Sequence, residues 1–272
     1  MSAPLSELEQ QIQFKTYLLQ AHNVRKHNQD TVGYLRRIYV KSRKTGDVWP
    51  ELSAYRRSEK SGVTGPLIKK AFRSFALALQ GNRCCYCFQM LPNIAHAKPI
   101  EHILPRNSYP QFSVHFWNLA VACFDCNQLK LKSNWGNFAV PWLEYPVATA
   151  FTEFYHPRFH RYGEHVRYDC NESNDACNVT YTGHTPQGKH LCSEMLYIVA
   201  ARKNLNGKNP LLAEAIESIQ QFEELHDLPA LEAFRKSLNT SMQYQLDDSG
   251  LDDAPLEGRL PARRRSKATT TR

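Results

Sequence analysis

Two Cys-x-x-Cys pairs, Cys84/Cys87 and Cys123/Cys126, constrain what this chain can fold into more than any other feature of its 272 residues. Each pair can set two thiolates on one ion across a tight turn, and two such turns supply the four ligands of a tetrahedral zinc site. A site of that kind is closed to substrate and acts as a folding staple, because the bound ion ties together segments that would otherwise separate. Cys85 falls inside the first turn and is spare. Clustered thiols favour metal over disulfide in a reducing compartment. The first twenty residues mix Glu7, Glu9 and Lys15 with apolar side chains, unlike a signal peptide. No apolar run approaches the ~18 residues that a membrane span needs. A cytoplasmic protein without membrane association is the expectation.

The chain is expected to divide into a basic helical segment (1–63), a central unit carrying the zinc knuckles (64–145), a helical C-terminal region (146–246) and a disordered tail (247–272). Leu5, Leu8, Ile12 and Leu18 set the apolar spacing of the first segment. Ile68, Ala71, Phe72, Phe75 and Leu79 predict a helix over 66–80, with Pro66 in its first turn and Gly81 just past its end. Between the knuckles, short apolar runs separated by Pro92, Pro99, Pro105 and Pro110 predict two short strands joined by a long loop. Leu212, Ala215, Ile216, Ile219 and Phe222 predict a late helix. His156, His160 and His165 lie in an aromatic stretch, where packing and hydrogen bonding are a better expectation than a second metal. Cys170, Cys177 and Cys192 are expected to be ordinary buried thiols. No glycine-rich phosphate loop occurs, so any ATPase would come from another chain.

The net charge of +8 is unevenly distributed. Residues 1–80 carry 14 Lys/Arg against 6 Asp/Glu, residues 81–200 balance at 9 against 9, and the last twelve residues add five cations. A basic front and tail suit a polyanion such as nucleic acid, although a solvated basic face would have the same composition.

Three runs between and beyond the knuckles carry a resemblance. They are Ile100-Glu101-His102-Ile103-Leu104-Pro105, then Asn118-Leu119, then Cys123-Phe124-Asp125-Cys126-Asn127-Gln128-Leu129-Lys130. In order and spacing this resembles the HNH (His-Me finger) endonucleases in their zinc-containing form, over about 50 residues. Asn127 stands where that family often has a third histidine. Less specifically, the wider chain resembles the HNH component of bacterial Septu and retron-linked antiphage systems.

The resemblance implies an α+β, mainly helical fold in which a ββα-metal finger with a structural zinc site of four cysteines is flanked by helical segments. It implies a DNA endonuclease leaving 5′-phosphates, with His102 as general base on water. An imidazole with a pKa near 6.5 is largely neutral at pH 7 and suits that role. Glu101 and Asn127 would offer hard oxygen ligands to Mg²⁺, with Mn²⁺ as a substitute. Asn118 would tie the loop and orient His102. Arg106, Lys130 and Lys132 lie where a phosphate backbone of double-stranded DNA could pass. A separate ABC-type ATPase would be the partner. One tension is visible beforehand: adjacent strand residues point to opposite faces, so Glu101 and His102 reach one ion only if the strand ends there. The same cysteines and charge also fit a zinc-ribbon module that binds nucleic acid without cutting it, or a nuclease acting on RNA.

Overall fold

A computed structural model describes residues 3–20, 22–56, 62–91, 98–131, 133–136, 144–173 and 177–208, together with Ser218 and Ala233. The helix expected around 212–222, the tail, and Lys132 lie outside the described residues. The chain divides into two compact units, Met1–Ser218 and Ile219–Arg272, and every element described below belongs to the first. No helix among the described residues is long and apolar enough to cross a membrane.

The unit is mainly helical with two small antiparallel sheets. Helices α1 (Glu7–Gln20), α2 (Arg25–Thr45), α3 (Trp49–Ala54) and α4 (Gly65–Leu79) precede a short pair of strands, β1 (Ile100–His102) and β2 (Leu119–Val121), and then helix α5 (Phe124–Lys130). A one-turn helix α6 (Tyr162–His165) leads into a hairpin of β3 (Val166–Glu172) and β4 (Cys177–Gly183). Helices α7 (Pro186–Leu191) and α8 (Tyr197–Lys208) follow, joined without a break by a π-helical turn over Cys192–Leu196. The β3–β4 hairpin falls in a stretch expected to be helical. Its register, Val166 opposite Gly183 through Glu172 opposite Cys177, pairs Tyr168 with Tyr181, whose rings stack 5.3 Å apart. Aromatic cross-strand pairs of this kind stabilise a sheet more than helix propensity opposes it.

Helix α4 explains how the chain reaches its first cysteine turn. The Thr64 side chain caps its start by accepting from the Leu67 amide, and Pro66 sits in the first turn, where a missing N–H costs nothing. The buried face is Ile68, Ala71, Phe72 and Ala76 with Leu77, whereas Leu79, the last apolar residue of the helical spacing, is exposed. The helix ends at Gln80. Its carboxamide donates to the Val121 carbonyl at 2.8 Å and accepts from the Val121 amide at 3.0 Å, pairing with β2 as a strand neighbour would. One core runs from Tyr17 on α1 through the cysteine turns to Ala200 on α8, and a second, smaller one joins α2, α3 and α4 around Ile38, Leu52 and Ile68. In α1 only Tyr17 is buried; Leu8 and Ile12, which set its apolar spacing, are exposed.

Gly65 sets how closely α4 approaches α3. A Cβ built there would lie 1.6 Å from the Leu52 carbonyl oxygen, a backbone atom that cannot swing aside, whereas a Cβ at Gly163 meets nothing within 4 Å. Gly65→Ala should therefore lower stability by at least about 3 kcal/mol, the upper range of overpacking, and Gly163→Ala should stay within roughly 0.5 kcal/mol. Urea unfolding of the two variants checks this; equal midpoints would refute the close approach.

Candidate active site and metal centre

The four sulfurs of Cys84, Cys87, Cys123 and Cys126 all lie within 4.8 Å of one another. Cys87 and Cys123 are 3.8 Å apart, which is about the edge of a tetrahedron with metal–sulfur bonds of about 2.3 Å. The turns are built to aim the thiols. Phe88 takes a left-handed φ of 59° so that its amide can donate to the Cys84 carbonyl, and Cys123 caps α5, its sulfur accepting from the Cys126 amide at 3.4 Å. The Cys123 amide in turn donates to the Cys84 sulfur at 3.2 Å. Burial would raise the Cys84 thiol, but hydrogen bonds from Cys123, Cys126 and the neighbouring thiols bring it well below the ordinary value. Sharing hydrogen bonds with Cys123 pushes Cys87 and Cys126 up. Four soft donors sharing too few protons are the donor set of a zinc site, and the quartet fits that ion. Cys85 is buried beside the quartet but outside it, and burial raises its thiol.

Glu101 and His102 obey strand alternation to the last residue of β1. Glu101 faces α5 and the first cysteine turn: it is buried, its Oε1 lies 3.0 Å from Lys130 Nζ, and it accepts from the Tyr86 hydroxyl at 3.4 Å. Burial raises its carboxyl, against the opposing pull of Lys130. Lys130, expected to reach a phosphate backbone, is instead turned inward. It is 1% exposed, lies over the Trp135 ring, and donates to the His102 carbonyl at 3.1 Å as well as pairing with Glu101. Its ammonium has no route to a phosphate in solvent. The second carboxylate oxygen of Glu101 and the carboxamide of Asn127 have no hydrogen-bond partner among the described residues.

His102 faces the other way, toward α3 and the loop between the strands. Its ring meets Trp49 edge-on at 4.6 Å, and its Nε2 lies 3.0 Å from the Ser113 carbonyl oxygen. A carbonyl can only accept, so Nε2 carries the proton and Nδ1 keeps a lone pair. Burial, then the cations Arg106, Lys130 and Lys69, push the ring down to about 3, so it is neutral at physiological pH. Ser113 is itself fixed, because its hydroxyl accepts from the Val48 amide at 3.1 Å and Ser42 donates to the neighbouring Gln111 carbonyl at 3.0 Å. Arg106 pairs with Asp47 at 2.8 Å, half exposed. Nothing in the sequence singled out Trp49 or Lys69; they come from helices outside the motif and meet His102 only in the fold.

Asn118 spans the loop. Its Oδ1 accepts from the Leu104 amide at 2.7 Å, and its Nδ2 donates to the carbonyls of Leu104 at 3.0 Å and Phe112 at 3.1 Å. The aromatic stretch with its histidines completes this clamp. His156 Nδ1 accepts from the Arg158 amide at 3.3 Å, so the proton of this buried, neutral ring sits on Nε2. It then donates to the Tyr145 hydroxyl at 2.8 Å, which donates its one proton to Asn118 Oδ1 at 3.2 Å. His160 accepts from the His156 amide, and His165 Nδ1 bonds the Thr185 hydroxyl while its Nε2 is buried without a hydrogen-bond partner among the described residues. Cys170 and Cys177 are not buried as expected; Cys170 is exposed, Cys177 half-buried, and only Cys192 lies in the core.

Comparison with known proteins gives one point of contact. The Septu protein PtuB of Bacillus thuringiensis is 35% identical over 65 residues. The chain is similar to a Septu protein. The match covers 24% of this chain and 24% of the relative, so the chain spans about a quarter of that relative's length. No family model matches the chain, and no solved structure does.

Two outcomes follow from this geometry. Cys126→Ser should lose the tightly held zinc and the folded state with it, while Cys85→Ser keeps about one zinc per chain; elemental analysis of both decides, and a folded, zinc-replete Cys126→Ser protein would refute the quartet. Tyr145→Phe should cost about 1–3 kcal/mol in urea unfolding, because it strands the His156 N–H in the core and leaves Asn118 one donor short. A stability equal to wild type would show that the chain of bonds is not formed.

Proposed function

We propose that this chain is a metal-dependent nuclease of the HNH type that hydrolyses phosphodiester bonds in DNA, and that it is the effector of a bacterial antiphage system acting with a separate ABC-type ATPase. The observation that carries the catalytic part is the fixed tautomer of His102, held with Nε2–H on the Ser113 carbonyl and the Nδ1 lone pair left over. A binding module has no use for a neutral, oriented base. The defence part rests on the similarity to a protein named for Septu and on the motif resemblance; the ATPase rests on the resemblance alone.

In this reading Nδ1 of His102 takes a proton from water as the oxygen attacks phosphorus, and the bond to the 3′-oxygen breaks, leaving a 5′-phosphate. Asn118 acts indirectly. By holding Leu104 and Phe112 it keeps Ser113 and its carbonyl in place, and so keeps the His102 proton on the far nitrogen. Glu101, expected as a magnesium ligand, does not fit that role: it is buried on the strand face opposite the His102 ring and paired with Lys130; the Asn127 carboxamide still offers a hard oxygen of the kind that ion prefers. A divalent ion held beside His102 would supply neutralising charge to the phosphate and the departing oxygen.

Purified protein incubated with plasmid DNA and with RNA, in Mg²⁺, Mn²⁺ or chelator, tests the reading. Cleavage of DNA should require the divalent ion, and His102→Ala should lower the rate by roughly 10²–10⁴ with the fold and zinc content retained. Wild-type rates from His102→Ala would remove the assigned base; binding without cleavage in every metal, with and without an ATPase encoded alongside, would leave a zinc-ribbon binding module.

A further inference from the structure

We propose that helices α3 and α4, outside the motif-bearing segment, supply Trp49, Lys69 and Arg73, which together with Arg106 of the β1–β2 loop form a cationic wall that seats a phosphodiester of the nucleic-acid backbone beside His102. The wall rests on the nuclease reading for its purpose but on separate observations for its existence. Lys69 and Arg73 lie one turn apart on α4, and neither points freely into solvent as their neighbour Lys70 does. Lys69 Nζ sits 4.0 Å over the Trp49 ring and bonds the Ser53 hydroxyl, so its ammonium is held in place by neutral groups. The Trp49 ring is also the one that meets His102 at 4.6 Å, which makes the indole the shared floor of base and cation.

Charge balance at this place is poor. Arg106 has Asp47 at 2.8 Å, but among the described residues no carboxylate pairs with Lys69 or Arg73. The Arg73 Nε is buried without a hydrogen-bond partner, an orphaned donor of a kind that folded proteins ordinarily satisfy. The three cations feel one another: burial, then Arg106 and Arg73, lower the Lys69 ammonium, and Arg106 and Lys69 both act on His102. Half-buried like charges that repel one another and leave a donor unused are stabilised when an anion enters. A phosphate diester carries one negative charge and two free oxygens, enough to meet Lys69 and Arg73 together. The indole beneath suits the sugar or base next to that phosphate.

The test measures binding rather than cutting, so that it stands apart from the nuclease reading. His102→Ala protein, with no divalent ion added, is titrated by fluorescence anisotropy into short labelled DNA and RNA duplexes of one sequence at several salt concentrations. Adding Lys69→Gln or Arg73→Gln should weaken binding roughly three- to tenfold each and lower the salt slope by about one, on whichever duplex binds. Lys70→Gln, which removes the same charge from the exposed side of α4, should change affinity less than about twofold. Lys69→Arg should restore most of the loss and thereby exclude a folding defect in Lys69→Gln. If Lys69→Gln and Arg73→Gln bind like Lys70→Gln, the wall is not a phosphate site, even where the wild type cuts. If they lose binding while the wild type cuts nothing, the site stands and the nuclease reading falls.

Discussion

The convergence of four thiols is the constraint on which the rest of this unit depends. It joins the turn leaving α4 to the start of α5, and between these two points lie β1, which ends on His102, the long loop that ends on Asn118, and β2. Three-residue strands cannot hold a register by themselves. Here the outer edge of β2 is held by Gln80 and by the Cys85 amide, both of which bond Val121, and both are placed by the turn that presents Cys84 and Cys87. A change at the thiols therefore reaches the pairing of Glu101 with Ala120 and of His102 with Leu119.

The buried Glu101–Lys130 pair is the second tie, and it works across the same gap. It connects the end of β1 to the last turn of α5, with Lys130 also bonding the His102 carbonyl. Such a pair adds little net stability, since desolvating both charges opposes their attraction, but removing one partner leaves an uncompensated charge at about 3–5 kcal/mol. Its effect is to specify where α5 sits against β1. The His102 backbone is thus fixed from the Glu101 side of the strand while its ring remains on the opposite side.

How much of this could be read beforehand depended on whether a residue's partner lay close in sequence. The cysteine quartet was legible because Cys-x-x-Cys carries its own geometry, and α4 was legible because Pro66, Gly81 and the apolar spacing from Ile68 to Leu79 act locally. The inward turn of Lys130 was not, because a lysine one helical turn past a knuckle looks solvated until Glu101, 29 residues earlier, is seen beside it. The β3–β4 hairpin was missed although Val166, Tyr168, Val179 and Tyr181 alternate as strand residues do, because the histidines and tyrosines just before it drew the reading toward irregular packing. Trp49 and Lys69 had no local signature at all. Their role comes from α3 and α4 packing across Gly65, a contact no motif announces.

Strand alternation, which looked like an obstacle to a single site at Glu101 and His102, divides the labour instead. On one side Glu101 faces a closed, charge-compensated interior of thiols, tyrosine and lysine, where rigidity is the physical result. On the other, His102 packs against Trp49 near Lys69 and Arg106, with Asp47 paired to Arg106 and no carboxylate on Lys69 among the described residues, and the imidazole stays unprotonated. A base that must be neutral and a substrate that must be anionic make the same demand on their surroundings: positive charge nearby disfavours the imidazolium and favours the phosphate. In the proposed nuclease, one cluster of cations on α4 and the β1–β2 loop would meet both demands and so link the base to helices that the motif does not include.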